Sequence, residues 1–118
     1  MKFTISTSDI ITAVRGIVYV LEIEVDGKTV VKVGHTMRPK VEDRVCEILT
    51  SMWKRYRVFP KCYVKRYKAF DTPAAVEKRL HKQLKDYRYT PKYAFSGSTE
   101  FFDLPLSEVV SLYDKVTD

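Results

Sequence analysis

Between Ser51 and Lys92 the chain carries 13 Lys and Arg against 3 Asp and Glu, whereas the remaining residues carry 8 against 12. A basic block of that kind within one small fold is the usual electrostatic footprint of a phosphate-backbone partner; a well-solvated charged face is the bland alternative. Lys54, Arg55, Arg57, Lys61, Lys65, Arg66 and Lys68 are the residues that would track such a backbone, giving affinity that falls with salt but little sequence choice. Trp53, Tyr63 and Tyr67 interleave with them and could stack on unpaired bases, although core packing is the expected role of aromatics in these elements. Glu77 and His81 stand one helical turn apart. Cys46, Cys62, His35 and His81 match no zinc-ligand spacing, and buried, reduced thiols are expected for both cysteines.

The elements that must position these groups follow from periodicity. Ser8 can cap a short helix running to Arg15, with Ile10, Ile11 and Val14 inward and Gly16 as its stop. Residues 17–25 and 28–35 are rich in β-branched and aromatic types and flank Asp26-Gly27, a strong two-residue hairpin signal. That turn sets Val25 opposite Lys28, Leu21 opposite Lys32 and Tyr19 opposite Gly34. Tyr19 and Lys32 then emerge on one sheet face as diagonal neighbours, with Val18, Val20, Val31 and Val33 on the other. Apolar residues on both faces imply helices packed on both sides.

A helix from about Lys40 to Trp53 aligns Val41, Val45, Ile48 and Leu49, with Arg44 at the edge of the stripe. Residues 60–70 read as a third strand. Thr72-Pro73 opens a helix to about Tyr87, in which Val76, Leu80 and Leu84 recur every fourth position and Glu77 and His81 flank the stripe. Residues 89–98 read as loop, 100–104 as a short extended piece, and 106–115 as a closing helix with Val109, Val110 and Tyr113 inward. The expected fold class is therefore α/β (α+β): a small mixed three-stranded sheet with helices on both faces, forming a single domain over 1–118 with its core at about 16–104.

The apolar fraction of 45% supports a core, and 31% charged residues with a mean hydropathy of −0.25 describe a soluble surface. No apolar run approaches the roughly 20 residues needed to cross a bilayer, and the polar opening MKFTISTSD lacks the apolar stretch of a signal peptide. No membrane partner is expected, and the location is cytoplasmic, or nuclear in a eukaryote.

The order of elements and motifs resembles the GIY-YIG nuclease domain over about 90 of the 118 residues. Ile17-Val18-Tyr19 stands for the first motif and Lys32-Val33-Gly34 for the second, with lysine in place of tyrosine. This is similar to the phage and fungal branch that reads Lys-Ile/Val-Gly-x-Thr, as are Glu77-x-x-Leu80-His81 and Glu100-Phe101-Phe102-Asp103-Leu104. The resemblance implies metal-dependent endonuclease chemistry, with DNA rather than RNA as the expected substrate and Mg2+ (or Mn2+) as cofactor.

On that resemblance Tyr19 would take or relay the proton of the attacking water. An isolated phenol does this poorly near neutral pH, and the cationic neighbour Lys32 would favour the phenolate. Glu77 would hold the metal and Arg44 would pair with the scissile phosphate. Gly34 and Arg44 stand farther apart than in the family pattern, and Ile48 lies one turn beyond Arg44 where a histidine is expected. His35 and His81 are therefore candidates for proton transfer, and Arg38, in the loop before the helix, is the rival to Arg44. One shallow cleft lined by Tyr19, Lys32, Arg44 and Glu77 is the resulting expectation, with a partner protein supplying specificity. The alternatives are a nucleic-acid-binding module of the same fold with little or no cleavage, and a protein-interaction domain whose basic face meets an acidic partner.

Overall fold

The structure, a computed structural model, describes residues 15–117. The helix expected from Ser8 falls, but for Arg15, outside the described residues.

Strands β1 (Gly16–Val25) and β2 (Lys28–Thr36) form the expected hairpin. Asp26 and Gly27 take φ of 55° and 74°, the positive pair that a two-residue turn needs to match the strand twist. The register agrees with the sequence reading: Tyr19 faces Gly34 and Leu21 faces Lys32. Helix α1 (Val41–Tyr56) runs three residues beyond its expected end. It stops where Arg57 enters the left-handed region and donates its backbone N–H to the Trp53 carbonyl at 2.7 Å.

Strand β3 (Cys62–Phe70) pairs with the free edge of β1, with a bulge opposite Val20 and Leu21. Helix α2 (Pro73–Leu84) closes in a 3-10 turn, Lys85–Tyr87, so the end of the expected helix is tighter than α-helical. Two short strands, β4 (Arg88–Tyr89) and β5 (Phe101–Phe102), add to the edge of β2, and α3 (Leu106–Val116) ends the fold.

The class is α+β, but the sheet has five strands in the order β3-β1-β2-β5-β4, and every neighbouring pair is antiparallel. The expected mixed three-stranded sheet is corrected for two reasons. Helix α1 carries the chain past the hairpin, so β3 reaches β1 rather than lying beside its parallel mate β2. Strands of two residues are also too short to show a period.

Helices cover both faces, each over its own apolar cluster. On one face Val18, Val20, Val31, Val33 and Phe102 pack with Leu80 and Leu84 of α2 and Val109 and Tyr113 of α3. The Tyr113 hydroxyl donates to the Val18 carbonyl at 2.8 Å, and burial pushes its pKa up to about 12. Val110, expected inward, is only half-buried. On the other face Tyr19, Leu21, Ile23, Val25, Val30 and Phe101 pack with Val41, Ile48 and Met52 of α1. Among the described residues no helix is long and apolar enough to cross a membrane.

Candidate active site

Lys32 has no exposed surface, and neither has Tyr19. An ammonium withdrawn from water requires compensating partners. Here it finds the Tyr19 hydroxyl at 3.3 Å and an ion pair with the carboxylate of Glu100. The rings of Tyr19 and Phe101 flank it, their centroids 5.3 and 5.9 Å away. Gly34 makes this assembly fit. A Cβ there would stand 2.6 Å from the Tyr19 hydroxyl and 2.8 Å from Lys32 Nζ. The expected diagonal pair of Tyr19 and Lys32 is thus formed.

Glu77, His35 and His81 lie on the other side of the sheet. His35 pairs with Val18 in register and so faces α2. Its Nδ1 donates to Glu77 Oε2 at 2.6 Å. His81, one turn beyond Glu77, places Nε2 2.7 Å from the Val33 carbonyl and 4.0 Å from Glu77 Oε1. A carbonyl only accepts, so Nε2 of His81 carries a proton and offers no lone pair at that position. The His81 ring packs edge-on against Phe102 at 5.1 Å. Burial and the nearby charge of Glu100 raise the pKa of Glu77, against the lowering effect of His35 and His81.

The four residues expected to line one cleft, Tyr19, Lys32, Arg44 and Glu77, approach from two sides of the sheet. Tyr19 and Lys32 lie on the α1 face, Glu77 on the α2 face, and the carboxylate of Glu77 does not meet the hydroxyl of Tyr19. The connection runs through Glu100, which the sequence reading noted as part of a motif without giving it a role. The backbone carbonyl of Glu100 accepts from Val33 N–H at 3.1 Å, which fixes the residue against β2. Its carboxylate meets Lys32, and ligand atoms of Glu77, His81 and Glu100 all lie within 4.8 Å of one another. The signal that could have found it was a lone acid immediately before the apolar pair Phe101-Phe102, at the end of a long loop.

Arg44 is largely buried, and its Nη1 donates to Ser96 Oγ at 2.9 Å. A Cβ on Gly97 would lie 2.8 Å from Lys32 Nζ and 3.4 Å from Arg44 Nη2, which places the two cations side by side. Its rival Arg38 is exposed and pairs at 2.5 Å with Glu47, whose carboxylate also stands 3.8 Å from Arg44 Nη1.

The basic residues divide between the two faces. Arg66 forms a two-point pair with Asp114 of α3, which raises the pKa of Arg66 and lowers that of Asp114. Lys68 reaches the Thr117 carbonyl at 3.5 Å. Lys54, Arg55 and Arg57 stand at the end of α1, Lys61 just ahead of β3, and Lys65 on β3 with its ammonium over the Tyr63 ring at 5.2 Å. Trp53, Tyr63 and Tyr67 are exposed rather than in the core. Cys46 is exposed as well, while Cys62 is half-buried with its thiol pushed up to about 11 by burial.

Compared with curated proteins and with solved structures, the chain matches none. Its sequence does match one family model, described as T5orf172 domain, over residues 16–117, a span that holds every strand and helix described above. The chain belongs to the T5orf172 domain family.

Proposed function

We propose that the chain is a metal-dependent endonuclease that hydrolyses phosphodiester bonds of nucleic acid, with DNA as substrate. The observation that carries this reading is the meeting of Glu77 and Glu100. Two carboxylates are held close together at the edge of a sheet, and one of them is kept from ionising easily by burial and by the other. A divalent cation relieves that repulsion, and carboxylate oxygens suit Mg2+ or Mn2+. The donor set thus fits the metal, and Glu77 and Glu100 are the residues that would hold it. When bound, the ion supplies charge neutralisation at the phosphate and a more acidic water.

The chain's own groups divide the remaining work. With Nδ1 donating to Glu77, His35 in its neutral form keeps Nε2 free to accept a proton, and its side chain is 32% exposed. His35 thereby takes the proton-accepting role that Tyr19, sealed from solvent, does not reach in this structure. Tyr19 and Lys32 act as positioning residues, fixing the Glu100 carboxylate from the far side of the sheet. Arg44 exchanges Ser96 for a phosphate oxygen, a partner its guanidinium binds more strongly. The resemblance of Ile17-Val18-Tyr19 and Lys32-Val33-Gly34 to the GIY-YIG motifs supports the same reading, since the two segments pair in register.

The test is incubation with supercoiled plasmid, branched DNA and single strands in Mg2+, Mn2+ or EDTA. Metal-dependent cutting that Glu77→Gln and His35→Ala abolish is the expected result; intact DNA under every condition overturns it. A second reading, a binding module without cleavage, is favoured by the burial of Tyr19 and Lys32 and predicts shifted but uncut DNA in the same assay.

A further inference from the structure

Strand β3 is the free edge of the sheet, and its two sides differ. Tyr67 is the register partner of Tyr19 and Val64 that of Leu21, so both project on the α1 side. Helix α1 does not cover them: Tyr67 is 64% exposed and Val64 37%. Just ahead of the strand, Phe59 stacks on Trp53 of α1 with centroids 6.1 Å apart and planes 19° from parallel. These rings are 66% and 39% exposed, and Arg57 lies over the Trp53 ring at 5.1 Å. Rings left in water at this density cost hydrophobic free energy that burial would have recovered.

Cations at the end of α1 stand beside them. Among the described residues Lys54, Arg55 and Arg57 form no ion pair with a carboxylate, whereas Lys65 lies over the Tyr63 ring at 5.2 Å and so belongs to the other side of β3. On the opposite side of β3, by contrast, Arg66 is neutralised by Asp114. Tyr63, the partner of Glu22, projects on that opposite side.

We propose that the α1 side of β3 is a binding track for an unpaired nucleic-acid strand, with Trp53, Phe59 and Tyr67 as stacking platforms for its bases and the free cations on its phosphates. Duplex DNA hides its base faces and offers such rings nothing, whereas an unpaired base presents a π-face whatever its sequence. Tyr67 stands next to Tyr19, whose contact with Lys32, and through it with Glu100, joins this side of the sheet to the site described above. The inference rests on the nuclease reading only for what happens at the end of the track, since the binding itself needs no metal.

Trp53 is the single tryptophan of the chain, so its emission reports the track directly. The probe is oligo-dT titrated in EDTA, followed by tryptophan emission and by anisotropy of a labelled strand, against a duplex of equal length. Quenching at saturation and at least tenfold tighter binding of the single strand are expected. Tyr67→Ala and Phe59→Ala each weaken it about tenfold, and Tyr63→Ala leaves it unchanged. Binding without quenching, equal affinity for duplex, or equal losses from Tyr63→Ala and Tyr67→Ala overturn the track and leave the nuclease reading standing. Single-strand binding as expected with no cutting of any substrate overturns only the nuclease reading. Sedimentation showing a dimer, with Trp53 shielded from iodide before any DNA is added, overturns the track in favour of a second copy on this face.

Discussion

Gly34 stands opposite Tyr19 in register, and a single methyl group on it would come within 2.6 Å of the Tyr19 hydroxyl. The hydroxyl and Lys32 Nζ would both have to move, yet both side chains are fully buried. Gly34→Ala is expected to cost about 1–3 kcal/mol, the usual range for an overpacked interior. Urea unfolding measures that loss. If the Tyr19–Lys32 pair positions Glu100, the same variant should lose cutting even at temperatures where it remains folded.

The ion pair of Lys32 and Glu100 joins a fully buried group to one that is 21% exposed. Removing one partner of a fully buried pair costs about 3–5 kcal/mol, and residual hydration of Glu100 places Lys32→Met at or below the low end. Glu100→Gln alone leaves the fully buried ammonium without its carboxylate. The double variant Lys32→Met/Glu100→Gln should therefore be more stable than the sum of the single losses. A double-mutant cycle by chemical denaturation reads this coupling, and strict additivity would mean that the pair is not formed.

The hairpin was legible because local signals agreed: β-branched runs, an Asp-Gly turn, and a period of two that fixed which residues face each other. Register arithmetic alone then brought Tyr19 to Lys32. The stripe of Val76, Leu80 and Leu84 says which side of α2 faces inward, not which sheet face the helix covers, so the side from which Glu77 approaches was left open. Glu100 was noted without a role, since its position depends on β5, a two-residue strand held only by β2 and β4. Trp53 and Tyr67 were expected in the core by residue type. Their exposure follows from β3 being an edge strand that α1 leaves uncovered, a fact of assembly that no local window contains.

Glu77 is a carboxylate whose pKa the fold raises, first by burial and next by Glu100. The sign follows from linkage: the fold favours the protonated form, so this contribution to stability is present below the ordinary carboxylate pKa and lost as pH rises through the raised value. Glu77→Gln, which keeps an acceptor for His35, should accordingly raise the melting temperature of metal-free protein at neutral pH while abolishing cutting. Mn2+ binding should release protons and tighten as pH rises across the mildly acidic range. Calorimetry in buffers of different ionisation enthalpy measures the proton count, and binding without proton release at mildly acidic pH would separate Glu77 from the metal.

Asp26 ties three parts of the chain together at the hairpin turn. Its carboxylate accepts from Tyr56 at 2.8 Å, Tyr89 at 2.5 Å and the Lys92 backbone N–H at 2.9 Å. Burial works to raise its pKa, but these donors outweigh it and hold the carboxyl below its ordinary value. The bond to Asp26, followed by burial, pushes Tyr89 up to about 12. A depressed acid contributes stability above its ordinary pKa and loses it as pH falls through the lower folded value. A raised phenol contributes below about pH 10 and loses it as pH climbs through about 12. Asp26→Asn preserves the turn, since asparagine tolerates a positive φ, but removes the charge. Melting temperatures from pH 7 to 11.5 should decline less steeply in Asp26→Asn than in the parent. Absorbance at tyrosinate wavelengths should show Tyr89 and Tyr56 ionising earlier, and an unchanged alkaline titration would mean that Asp26 holds neither.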